Sequence, residues 1–242
     1  MAGVAALAAA GLLATALLAG KGLRYFFEER SRLRLEPVFT ARFAAANAAL
    51  PAPKGKRLVL FGDSRAVQLA MNAPDPDWEV VERAISGEST AQMRYRFAAD
   101  VLAPKPQAVV IFAGINDLVA AAALPELRQA ATQATITNLS AFVAEARAAE
   151  IEVVLLTIVR PAAVRLLRRP IWSDTVFDLV AQTNERLRAL AGPGVRVIDA
   201  DTLLAGREAR LPGRYATDEI HLNAEANAVL RAAIATALER VD

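Results

Sequence analysis

The chain has no cysteine and only one histidine, His221, among its 242 residues. The first absence excludes disulfides and thiolate metal ligands. With so few ligating side chains a structural zinc site is not expected, nor any other metal or cofactor. If a proton is to be moved by an imidazole, only His221 can do it. An excess of one charge is also lacking. The 28 Lys and Arg residues against 26 Asp and Glu leave a net charge of +2, the basic residues are scattered, and neither a zinc finger nor a glycine-rich phosphate loop occurs, so no nucleic-acid partner is expected. Aromatic residues make up only 6% of the chain, but hydrophobic residues make up 55% and charged ones 22%. That composition buries a sizeable core and excludes general disorder.

One long apolar run stands apart. Residues 1–20 carry no charged side chain and are built from Ala, Leu, Gly and Val, with Lys21, Arg24, Arg30, Arg32 and Arg34 following. The run has the length of a membrane span, about 20 residues, and is read as an uncleaved single-pass anchor that would make a membrane a partner through this N-terminal helix. A cleaved signal segment and a helix packed on protein are the alternatives, because the run lacks a basic start and nine of its twenty residues are alanine. The basic flank favours a cytoplasmic main domain, but the side of the membrane stays open. Residues 21–56 read as an amphipathic helical region ending in the linker Pro51-Ala52-Pro53-Lys54-Gly55-Lys56, and residues 57–242 as the main domain.

Within that domain strand and helix patterns alternate. Strands are expected near 57–61, 79–84, 108–113, 151–157 and 194–199, and helices near 65–71, 89–101, 126–149, 175–191 and 224–240. Such alternation implies an α/β fold with a parallel sheet of five strands and helices on both faces.

Chemistry-bearing residues gather where these strands end. Arg57-Leu58-Val59-Leu60-Phe61 runs into Gly62-Asp63-Ser64, so Ser64 falls at a strand-to-helix turn on the rim where open α/β sheets bind ligands. A serine hydroxyl is a poor nucleophile until a base takes its proton, and that base needs a partner to fix its tautomer. Asp218-Glu219-Ile220-His221 contains a base and a carboxylate. The third strand ends in Gly114-Ile115-Asn116-Asp117, which brings the Asn116 amide to the same rim as a candidate oxyanion donor. The second runs into Ser86-Gly87-Glu88-Ser89, where glycine lets a backbone N–H approach a ligand. Each residue also has a structural role open to it: Ser64 and Asp63 as turn or cap, Asp117 as a cap, Ser89 with Gln92 as a capping box, and Asn223 with Glu225 as the start of a last helix.

These four blocks, in this order, resemble the GDSL-type or SGNH esterases and lipases, from Gly62 to His221. The resemblance implies a three-layer α/β/α fold with flavodoxin-like strand order and a serine esterase mechanism. In it Ser64 is the nucleophile, His221 the base and Asp218 its orienting acid, with the N–H groups of Ser64 and Gly87 and the Asn116 side chain holding the oxyanion. It implies an ester substrate, whether a small molecule, a lipid or an acylated glycan. Transfer of the acyl group to a hydroxyl acceptor is an alternative, and a catalytically silent scaffold another. Arg65 stands where the family has its eponymous leucine. With Arg168 and Arg169, in a basic and apolar stretch between Arg160 and Trp172, it is a candidate for contacting substrate.

Overall fold

The computed structural model describes residues 2–74, 76–239 and 241 and divides into two compact units, Met1–Phe39 and Thr40–Asp242. Met1 lies outside the described residues. The first unit is built on one long helix, α1 (Ala2–Leu35), which continues without a break from the alanine-rich run through Lys21 and Arg24 into Glu28 and Arg30. Arg24 Nε donates to Glu28 Oε1 at 2.7 Å, one turn on. Among the described residues no helix is long and apolar enough to cross a membrane. The expectation of a single-pass anchor at residues 1–20 is corrected accordingly, and with it the membrane as a partner through this helix. Alanine contributes only one methyl group to apolar burial, and the helix carries its charges on the same continuous rod.

The second unit opens with α2 (Ala44–Ala48), and the Pro51–Lys54 stretch then leads irregularly into the sheet. Five strands follow: β1 (Lys56–Gly62), β2 (Trp78–Ala84), β3 (Ala108–Phe112), β4 (Glu152–Leu156) and β5 (Val195–Ile198). They are all parallel and lie in the order β2-β1-β3-β4-β5, the flavodoxin-like arrangement expected. Because successive strand side chains face opposite ways, the strands feed two cores. Val59, Phe61, Val109, Ile111, Val153 and Leu155 pack against α4 (Thr90–Arg94), α5 (Ile115–Ala123), α6 (Arg128–Ala148) and α7 (Thr175–Arg188). Leu58, Leu60, Val110, Phe112, Val154 and Leu156 pack on the other face against α3 (Ser64–Leu69), α8 (Ala200–Ala205) and α9 (Ala224–Leu238). The result is three layers, α/β/α.

Two α-helices were not anticipated. α5 starts within the Gly114-Ile115-Asn116-Asp117 block, and α8 follows β5 directly, its N-cap Asp199 accepting from the Thr202 N–H at 3.2 Å. The helix expected over 89–101 is instead α4 followed by a π-helical turn over Ala98–Leu102. Between them Arg96 turns inward, donating to both carboxylate oxygens of Glu88, to the Arg83 carbonyl and to Asp100.

The chain leaves β1 for the edge strand β2 and then returns to β3 on the other side of β1. The carboxyl ends of β1 and β3 therefore flank the point where the winding reverses, which is where such sheets form a crevice. The strands approach closely there. A Cβ at Gly62 would collide with the Phe112 carbonyl oxygen, and Gly114 has φ +109°, a conformation open in practice to glycine.

Candidate active site

Ser64 is the first residue of α3. Its neighbour Asp63 is the N-cap and accepts from the Arg65 N–H at 2.9 Å with one carboxylate oxygen and from the Gly114 N–H at 3.2 Å with the other. One carboxylate thus joins the ends of β1 and β3. Burial raises the Asp63 pKa to about 6, against the pull of the nearby Arg65 cation. The two backbone bonds are what make this buried group a fixed strut.

His221 lies in the loop before α9, far along the chain from Ser64. An antiparallel bridge between Ala216 and Leu222, and the Thr217 N–H donating to the His221 carbonyl at 3.0 Å, close this loop into a tight turn. Inside it Asp218 Oδ1 accepts from the backbone N–H groups of Ile220 and His221 at 2.9 and 2.8 Å, and Oδ2 lies 2.7 Å from His221 Nδ1. The other ring nitrogen, Nε2, is 3.0 Å from Ser64 Oγ. Burial works against ionising Asp218, but the hydrogen bonds from His221 and from the two N–H groups outweigh it and hold the carboxyl below its ordinary range. An ionised Asp218 fixes the tautomer with the proton on Nδ1 and leaves Nε2 free to accept from the serine hydroxyl. Asn223 caps α9, its side chain accepting from the Ala226 N–H at 3.0 Å.

The remaining rim residues come from β2 and β3. Gly87 has φ +81°, and Ser89 and Gln92 form the expected capping box at the start of α4. Asn116, in the first turn of α5, donates from Nδ2 to the Glu88 carbonyl at 3.0 Å, so its amide faces the Gly87 loop. Asp117 takes the structural role: its carboxylate accepts from the Thr90 N–H at 3.0 Å and from the Thr90 hydroxyl at 2.6 Å, tying α5 to α4. Glu88 and Arg96, both fully buried, form an ion pair directly behind the same loop. Sequence spacing carries no signal for that pair, because two charges eight residues apart look like solvated surface.

The three candidate substrate arginines separate. Arg65 does not reach the rim. Its side chain is buried, with Nε donating to the Ile220 carbonyl and Nη1 to the Val159 carbonyl, both at 2.7 Å. Arg168 and Arg169 lie in a 3-10 turn over Leu166–Ile171 with side chains 52% and 43% exposed, so both face solvent. Their neighbour Arg165 is held by Glu219, which it meets through Nε at 2.7 Å and Nη2 at 3.0 Å. A groove of about 650 Å³ between α6 and α7, lined by Arg128, Gln133, Asp178 and Gln182 among others, contains none of Ser64, Asp218 or His221. Among the described residues no group of three or more His, Asp or Glu is arranged to hold a metal ion.

Similarity to known proteins identifies the family. A GDSL-like lipase of Bacteroides thetaiotaomicron is 27% identical with a TM-score of 0.65, over 83% of this chain and 97% of that one. A protein of Bacteroides fragilis provisionally described as an acylhydrolase is 28% identical with a TM-score of 0.67, over 83% of this chain and 95% of that one. An acetylxylan esterase of Geobacillus stearothermophilus, 20% identical with a TM-score of 0.50 over 78% of this chain and 96% of that one, shares the fold. No protein of curated function matches. The GDSL-like lipase/acylhydrolase family model matches residues 60–229, most of the second unit and more than half of the chain, so the protein belongs to that family and is an ester hydrolase.

Proposed function

We propose that this protein hydrolyses carboxylic esters through an acyl-enzyme formed on Ser64. The observation that carries the reading is the unbroken line from Ser64 Oγ to His221 Nε2, 3.0 Å, and from His221 Nδ1 to Asp218 Oδ2, 2.7 Å. Both lie within the reach needed for proton transfer. Ser64 Oγ attacks the ester carbonyl carbon while its proton passes to Nε2. The carbonyl oxygen becomes an oxyanion, held by the Ser64 and Gly87 N–H groups and by the Asn116 amide. On collapse the C–O bond to the alcohol breaks, and the proton on Nε2 goes to the leaving oxygen. Water then enters, gives a proton to Nε2 and attacks the acyl carbon. The Ser64 C–O bond breaks, Oγ recovers the proton, and the acid departs. Asp218 stays ionised throughout and stabilises the imidazolium present in each tetrahedral state.

The domain that does this is proposed to run from residue 57 to the C-terminus. Its substrates are proposed to be small-molecule esters, with Arg168 and Arg169 meeting the part of the substrate that projects into solvent. A fluorophosphonate probe tests the mechanism: it should label the unmodified protein at Ser64 and label neither Ser64→Ala nor His221→Ala at a comparable rate. Equal labelling of folded His221→Ala removes the triad.

A further inference from the structure

We propose that Arg65 is a positioning residue that sets the distance between Ser64 and His221, a task the leucine usual at this place in the family cannot perform. The inference rests on the triad reading above. Arg65 directly follows Ser64, so its backbone moves with the nucleophile. Its guanidinium donates from Nε to the carbonyl of Ile220, the residue directly before His221, at 2.7 Å. The same peptide group presents its other side, the His221 N–H, to Asp218 Oδ1 at 2.8 Å. The peptide that carries the base is thus held at its oxygen by the nucleophile's neighbour and at its nitrogen by the orienting acid. Through Nη1 at 2.7 Å the same guanidinium reaches the Val159 carbonyl just past β4, which fixes the whole bracket to the sheet.

The arginine at this place carries a cost in burial and supplies something that leucine does not. Arg65 is 1% exposed and, among the described residues, meets no carboxylate in an ion pair and leaves Nη2 buried without a hydrogen-bond partner. Burying a cation so incompletely satisfied is costly, and part of that cost is offset by the Ile220 and Val159 carbonyls, which lose their donor if an apolar side chain takes its place. What leucine cannot supply is two directed donors in a rigid fork, one for each carbonyl. Burial lowers the Arg65 pKa to about 10, against the pull of Asp63, Asp201 and Asp218, so the fork stays charged at neutral pH.

The test replaces Arg65 by the family's own residue and by lysine in the full chain. Arg65→Leu should fold with a lowered Tm, because the Ile220 and Val159 carbonyls lose their donor, and should turn over a short aryl ester about 10²-fold more slowly, as a displacement near 1 Å does elsewhere, with KM changed by less than about twofold. Arg65→Lys, a charge with no fork, should fall between the two. Because His221 is the only histidine, the proton on its Nδ1 gives a single assignable low-field signal in the NMR spectrum. That signal should broaden or vanish in Arg65→Leu, and it reports on the Asp218 bond whether or not ester is cleaved. Full turnover by Ser64→Ala would remove the triad reading, and a low-field signal that still depends on Arg65 would then mark that failure as separate from this one. A folded Arg65→Leu with unchanged kcat and an intact signal overturns the proposal. Should Arg65→Leu fail to fold, an unchanged kcat in Arg65→Lys overturns it instead, and a drop of about tenfold at constant KM supports it.

Discussion

Asn116 Nδ2 donates to the Glu88 carbonyl at 3.0 Å, so the side-chain amide from the end of β3 is aimed by the backbone from the end of β2 before any substrate arrives. A primary amide has two N–H bonds, and one of them is spent here. In the mechanism proposed above the other meets the oxyanion, in an orientation that costs nothing to reach during reaction. Asn116→Ala should therefore lower kcat by about 10²–10³-fold, the usual loss for one oxyanion donor, with little change in KM. Steady-state kinetics on a short ester check this. A loss confined to KM would place Asn116 in ground-state binding.

Ser64 and His221 should behave as one unit. Alanine at either position should reduce turnover by several orders of magnitude, and the double variant should be no worse than the poorer single one, because a base without its nucleophile has nothing to deprotonate. Additive losses would show that the two act in different steps. Asp218→Asn should also be strongly impaired, since the amide can donate to Nδ1 and stabilise the wrong tautomer.

Acid sensitivity should trace in part to Glu219. Its hydrogen bond from Arg165 pulls the carboxyl down from 4.5 to about 2, against burial. The folded chain thus binds this proton less tightly than the unfolded chain, and stability gained from ionised Glu219 is complete above the unfolded value and lost as pH falls through the folded one. In Glu219→Gln that gain is absent. The difference in Tm between wild type and Glu219→Gln should be widest at neutral pH and close between about pH 4.5 and about pH 2, a window taken from the same shift. A gap independent of pH would assign the loss to packing.

The sheet was legible because its strands are short apolar runs of Val, Ile, Leu and Phe, each ended by Gly or a polar turn, and the residues of the proposed triad could be picked out because Ser64 and His221 sit in compact local blocks. Arg65 was not. From the sequence a charge beside the nucleophile looks like a rim residue, and only the three-dimensional placement of the Ile220 and Val159 carbonyls shows that the guanidinium has backbone acceptors waiting inside. Glu88 and Arg96 were hidden for the same reason. α5 was missed because Asn116 and Asp117 read as turn formers, although Gly114 completes the turn before them and the alanines that follow are strong helix formers. The N-terminal run misled in the opposite direction, since freedom from charge is not the same as apolarity when so much of the run is alanine.

The selectivity of the enzyme should depend on Arg168 and Arg169. Arg165 is committed to Glu219 by two bonds, whereas Arg168 stands 4.0 Å from that carboxylate and Arg169 3.5 Å from Asp174, itself also approached by Arg210 at 3.8 Å. Loose, exposed pairs of this kind contribute little to stability, and their charge is only partly neutralised toward solvent. Two cations about 10 Å from a bound anion in water each supply roughly 0.4 kcal/mol of attraction, together a factor of about four in binding. Replacing both by glutamine should therefore raise KM about fourfold for an ester with an anionic acyl or alcohol part, leave KM for a neutral ester unchanged, and leave kcat unchanged for both. The screening length falls from about 30 Å at 0.01 M salt to about 3 Å at 1 M, so high salt should erase the difference in the unmodified enzyme. Parallel KM series for one charged and one neutral ester, at both salt concentrations, check every part of this. If the charged ester shows no salt dependence before substitution, these two arginines belong to the solvated surface and the site does not select by charge.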